Sequence, residues 1–105
     1  MVNVSVLYPG KAGSRFDEEY YFNEHIPMVS RLLGTALQAV SVETGVSGAM
    51  PNQPAPFVLM CHLVFESVAA FYAAFVPHAA TIQGDIANYT DIEPVIQIGE
   101  IKLSR

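Results

Sequence analysis

The succession strand, helix, strand, strand, helix, strand predicts an α+β chain of the ferredoxin-like, βαββαβ kind, an antiparallel four-stranded sheet with both helices on one face. Three observations carry this prediction. Val2, Val4 and Val6 alternate with Asn3 and Ser5, the period of a strand. The run from Phe57 to Phe65 is apolar on both faces apart from His62, as a central strand is. Phe71, Phe75 and His78 recur on one side of a helical stretch, with Val68 and Tyr72 on an adjoining side. With 105 residues the chain forms one domain, 1–105, and has no room for a second core.

In order along the chain, the first strand ends in the turn chemistry of Tyr8-Pro9-Gly10. Ser14 and Asp17 then resemble a capping arrangement at a helix start, and the helix is expected to run to about His25. Pro27 fits the first turn of a continuing helical piece through Leu33, stopped by Gly34, so the element is expected to be kinked. Leu37 to Glu43, rich in β-branched and small residues, predicts the second strand. Pro51, Pro54 and Pro56 make the following connection irregular, and residues 50 to 56 are a candidate rim for a pocket. Ser67 caps the second helix, Pro77 kinks or ends it, residues 79 to 87 carry a further helical turn or two, and Asn88 to Asp91 is a polar link. Val95 to Leu103 completes the sheet.

Hydrophobic residues make up 51% of the chain and charged residues only 14%, against about 25% charged in an ordinary soluble domain. The deficit, together with a central strand apolar on both faces, points to a homodimer through the sheet face opposite the helices. The net charge of −5, with its few cations scattered, argues against a nucleic-acid partner or an anionic membrane surface. One cysteine, Cys61, cannot close an intrachain disulfide, and no apolar run approaches the length of a membrane span, so a cytoplasmic protein is expected. No glycine-rich phosphate loop and no paired metal-ligand spacing occurs, so neither a nucleotide cofactor nor a metal is expected.

The candidate chemistry lies between Phe16 and Pro27. Tyr21 and His25 are four apart and so share a helical face, whereas Tyr20 points about 100° away. If His25 lies in the last helical turn, the partial negative charge there favours the imidazolium and suits proton transfer; the alternative is a histidine that caps the last carbonyls and braces the Pro27 kink. His25 is thus the candidate catalytic acid or base and Tyr21 its partner or an oxyanion donor. Tyr20, His62, Phe75, Tyr89 and Asp91 are candidate substrate-binding residues, each with a structural alternative: a packed tyrosine for Tyr20, an interface histidine for His62, a turn residue for Asp91. His25, Tyr21, His62, Tyr89 and Asp91 are expected to line a common cavity between helices and sheet, with Phe16, Phe71 and Phe75 as apolar walls. Cys61 and His62 point to opposite sheet faces, which excludes a Cys–His nucleophile pair on a regular strand.

The pattern made by Phe16, Tyr20, Tyr21, His25 and Pro27, with the segment from Asp85 to Ile98, resembles the EthD family of small α+β proteins. The resemblance implies a dimeric α+β barrel with a pocket in each subunit between sheet and helices. The family is associated with ether degradation, and related barrels include cofactor-free monooxygenases, isomerases and haem-using enzymes. It therefore implies an enzyme acting on a small apolar organic ligand, with oxidoreductase or isomerase chemistry in a catabolic or biosynthetic pathway. The alternative is a non-catalytic ligand-binding or accessory protein for a separate oxygenase.

Overall fold

In the computed structural model, which describes residues 1–105, strands β1 (Val2–Pro9), β2 (Ala39–Thr44), β3 (Phe57–Phe65) and β4 (Val95–Glu100) form one sheet in the order β2-β3-β1-β4. All neighbouring pairs are antiparallel, and the helices lie on one face, so the fold is the ferredoxin-like one. β3 is central, as expected. β2 is one residue shorter than the stretch read from the sequence and slightly shifted from it, and β4 starts at Val95 as expected but ends at Glu100, because β propensity continues past the last ladder bond.

The first helical element continues past Pro27. It runs through α1 (Glu18–Tyr20), a π-helical turn (Tyr21–His25) and α2 (Ile26–Leu33) without a break. Pro27 has no amide to offer the carbonyl four residues back, and the turn before it is widened, with the Ile26 amide donating to the Tyr21 carbonyl five residues earlier. The cap is Asp17, whose side chain accepts from the Tyr20 amide; Ser14 instead belongs to a turn in which its amide donates to the Lys11 carbonyl. Ser67 caps α3 (Val68–Phe75) through the Ala70 amide, as the sequence predicts. A 3-10 turn, Val76–His78, follows at Pro77, and then come α4 (Ala79–Gly84) and a second 3-10 turn, Ile86–Asn88.

Alternation along the strands sorts the two sheet faces. Val2, Val4 and Tyr8 of β1 and Leu59, Cys61, Leu63 and Phe65 of β3 are buried beneath the helices, where Val29, Leu33, Phe71 and Ile82 meet them. Phe65 and Phe71 pack edge to face with centroids 5.0 Å apart, an arrangement favoured by the ring quadrupoles. The other face is less apolar than the sequence suggests. Cross-strand pairing places Leu7 beside Met60 and Val95, but the next row is Ser41, His62, Ser5 and Gln97. Gly45 follows β2 because a Cβ there would collide with the Phe57 carbonyl oxygen, and this close approach starts the proline-rich loop.

Candidate active site

Two segments far apart in sequence are stitched together at the first helical element. The Asp17 amide donates to the Tyr89 carbonyl at 2.7 Å, and the Thr90 hydroxyl donates to the Arg15 carbonyl at 2.6 Å. Asp91 accepts from the Arg15 amide at 2.9 Å, and the Arg15 guanidinium reaches the Ala87 carbonyl at 3.1 Å. The link from 88 to 91 is therefore only partly solvated: Asn88 and Asp91 are exposed, and Tyr89 and Thr90 are buried. Asp91 is a brace on the surface, not a member of the cavity wall.

This stitching brings Asp85 and Tyr89 onto the π turn. Asp85 Oδ2 lies 2.8 Å from His25 Nδ1, while its Oδ1 accepts from the Tyr20 hydroxyl at 2.6 Å and from Asn88 Nδ2 at 2.9 Å. Because an ionised carboxylate can only accept, His25 carries its proton on Nδ1 and turns the Nε2 lone pair the other way. Nε2 faces the Tyr89 hydroxyl at 3.4 Å, and Tyr89 in turn bonds the Tyr8 hydroxyl at 2.6 Å. Tyr21 stacks on the imidazole with centroids 5.5 Å apart and planes 22° from parallel. Phe16 closes the cluster from behind, 5.1 Å from Tyr8 and 5.4 Å from Tyr89.

The electrostatics follow from burial and from these bonds. His25, only 5% exposed, is shifted below the ordinary imidazole value by burial, which the Asp85 carboxylate partly offsets. The helix-terminus argument for an imidazolium does not apply, because His25 sits in mid-helix. For Asp85, burial pushes upward, but donation from Tyr20, Asn88 and His25 outweighs it and lowers the carboxyl below its usual range. Burial pushes Tyr8 up to about 12 and raises Tyr21 and Tyr89 further. Tyr20 is also raised, chiefly by its bond to Asp85. The tyrosines are neutral donors and acceptors, and His25 is the group ready to take a proton.

A cavity of 370 Å³ opens between sheet and helices, within the range of small-molecule sites, and 17 of its 20 lining residues are hydrophobic. Tyr8, Tyr21, His25 and Phe75 line it, as do Phe71 and Gln83. No lysine or arginine does, so it offers no ionic anchor for a phosphate or carboxylate. Nowhere in the chain do three His, Cys, Asp or Glu side chains converge as a metal site requires.

Of the residues singled out from sequence, the structure unites His25, Tyr21 and Phe75 on the cavity and adds Tyr89 and Tyr20 through hydrogen bonds. His62 is not among them. It lies on the opposite sheet face, with Nδ1 3.1 Å from Ser5 Oγ and Nε2 3.1 Å from Glu43 Oε1, because the alternation that buries Cys61 and Leu63 turns it away. The proline-rich loop likewise contributes nothing to the cavity wall. Asp85, Asn88 and Tyr8 were not foreseen. Asp85 stands at the head of the second motif, and that position is the signal that it shares a site with the first.

The EthD domain matches residues 14–93, and the chain belongs to the EthD family. An EthD-like protein of Ralstonia eutropha JMP134 is 47% identical over 99% of this chain and 94% of its own, with a TM-score of 0.94. A Bacillus halodurans C-125 protein of the ethyl tert-butyl ether (EthD) family shares the fold at 24% identity and a TM-score of 0.74, covering 96% of this chain and 98% of its own. An Arabidopsis thaliana protein does so at 15% identity and a TM-score of 0.71, covering 100% of this chain and 99% of its own. No curated protein matches the sequence significantly. No helix is long and apolar enough to cross a membrane.

Proposed function

We propose that this chain is a small-molecule enzyme in which His25 moves a proton on an apolar organic substrate held between sheet and helices. The observation that carries the reading is His25, held from behind by Asp85 and set into the wall of a mostly apolar cavity. Asp85 fixes the tautomer, burial keeps the ring neutral at Nε2, and Tyr21 holds the ring plane by stacking, which together make a general base. Proton abstraction of this kind serves isomerase chemistry directly and is the opening step of oxidoreductase chemistry on an activated carbon or oxygen. The matching experiment is a thermal-shift screen of small apolar compounds followed by a turnover assay on each hit. Product formation supports the enzyme; stabilising hits with no product in any assay overturn it.

The second reading, a non-catalytic carrier serving a separate oxygenase, is favoured by the cavity wall itself, in which so few groups are polar. We also propose that two chains pair through the sheet face that bears Leu7, Met60 and Val95. Light scattering after gel filtration should give about twice 11.4 kDa, and a monomer at micromolar concentration would refute the pairing.

A further inference from the structure

We infer that Tyr8 reads the ligand, and that the cavity takes an uncharged, mostly apolar molecule whose hydroxyl group donates to the Tyr8 oxygen. The inference rests on the cavity being the ligand site and deepens that reading by naming the ligand class and the residue that recognises it.

Tyr8 lies on β1 and lines the cavity, and the one hydrogen bond of its hydroxyl is to Tyr89 at 2.6 Å. A phenol oxygen has one proton and two acceptor positions, so a single partner leaves capacity unused. Because Tyr8 is part of the cavity wall, that free acceptor position is available to a ligand.

The direction of the hydrogen bonds decides which kind of ligand oxygen fits. Asp85 accepts the Nδ1 proton of His25, so Nε2 is an acceptor and takes the Tyr89 proton. The Tyr89 oxygen then accepts from Tyr8, and Tyr8 has only a lone pair left for a ligand. A hydroxyl satisfies it, whereas a carbonyl or an ether does not. The burial of His25 holds this direction by disfavouring the imidazolium, which would reverse every bond in the row. Anionic ligands are disfavoured twice, by the absence of lysine and arginine from the wall and by the Asp85 carboxylate behind His25.

The same row is a path for the proton. The ligand O–H bond breaks as its proton passes to the Tyr8 oxygen, the Tyr8 proton moves to Tyr89, and the Tyr89 proton moves to His25 Nε2. The products are a ligand oxyanion and an imidazolium held by Asp85. The 3.4 Å step between Tyr89 and His25 is long, as such contacts often are before a ligand tightens them.

The test compares para-tert-butylphenol with its methyl ether and with para-tert-butylbenzoate, measured by titration calorimetry above the ordinary imidazole range. In Tyr8→Phe the ratio of phenol to ether affinity should fall about tenfold from its wild-type value, with ether affinity unchanged. Should Tyr8→Phe unfold because the Tyr89 oxygen loses the donor it accepts from, the double variant Tyr8→Phe/Tyr89→Phe removes both hydroxyls of that bond and should show the same fall. A ratio unchanged in the folded variant overturns the role of Tyr8 and leaves His25 as the proposed base. Benzoate bound as tightly as the phenol overturns the uncharged class. If none of the three binds the wild-type protein, both this inference and the cavity as a ligand site fail.

Discussion

His25 and His62 are each paired with a carboxylate, and the two pairs differ in everything around them. His25 lies 2.8 Å from Asp85 with side chains 6% and 13% exposed; His62 lies 3.1 Å from Glu43 with side chains 25% and 65% exposed. A histidine–carboxylate contact that water reaches, as this one does in the single chain, contributes little, because solvent screens it and the long side chain remains mobile. Around His25, water is replaced by tyrosine rings, so a proton added to Nε2 is felt by every neighbour. A histidine–carboxylate pair thus becomes a site through its surroundings, and the distance between the partners is the smaller part of the difference.

The sharpest way to break the comparison is to remove each imidazole in turn. His25→Ala should lower turnover on any substrate found by about 100-fold or more, and His62→Ala should leave it within about twofold. Equal effects in folded, assembled variants would erase the distinction. The carboxylates come next. Asp85→Asn removes a charge-assisted hydrogen bond, and kcat should drop on the order of tenfold. Because Asp85 raises the His25 value against burial, the acid limb of the pH–rate profile should move to lower pH in this variant. Glu43→Gln should leave that limb where it is, and an equal displacement in both variants would refute the assignment.

The smallest effect concerns stability in acid. A depressed His25 value means that the unfolded chain binds the proton more readily. Stability should therefore fall as pH drops through 6.5 and level off once the folded imidazole also titrates. Asp85, likewise depressed, should add a second loss starting near 3.8 and continuing to its lower folded value. Thermal melts of wild type and His25→Gln across this range isolate the first loss. Parallel curves for the two proteins would show that His25 is not shifted by folding.

The sheet was legible because alternation and burial share a period of two: Val2, Val4 and Leu59 to Phe65 announce their faces directly. The pairing of Tyr21 with His25 was legible for the same local reason, being a spacing along one helix. Asp85 was harder, since it reaches His25 across 60 residues through the contacts of Arg15 and Asp17 with residues 87 to 91. Asp91 was the carboxylate singled out instead, and nothing local separates a brace from a proton-orienting group. Tyr8 reads as the end of a strand, and only the fold shows that it meets Tyr89. His62 misled because an isolated polar residue in an apolar strand looks the same whichever way it points.

The π turn has a consequence for how this site tolerates change. A widened turn is an α-helix that accommodates one extra residue, so the angular phase of Tyr20 relative to His25 depends on chain length there as well as on side-chain identity. Adding a further residue between 21 and 25, beyond the one that the widened turn absorbs, would rotate what precedes it by about 100°. Tyr20 and the Asp17 cap would swing away from Asp85 and Tyr89 while every remaining side chain stayed chemically intact. Shuffling substitutions through this segment is therefore a much gentler perturbation than lengthening it, and any transplant of the tyrosine–histidine arrangement to another scaffold has to carry the frame of the helix with it.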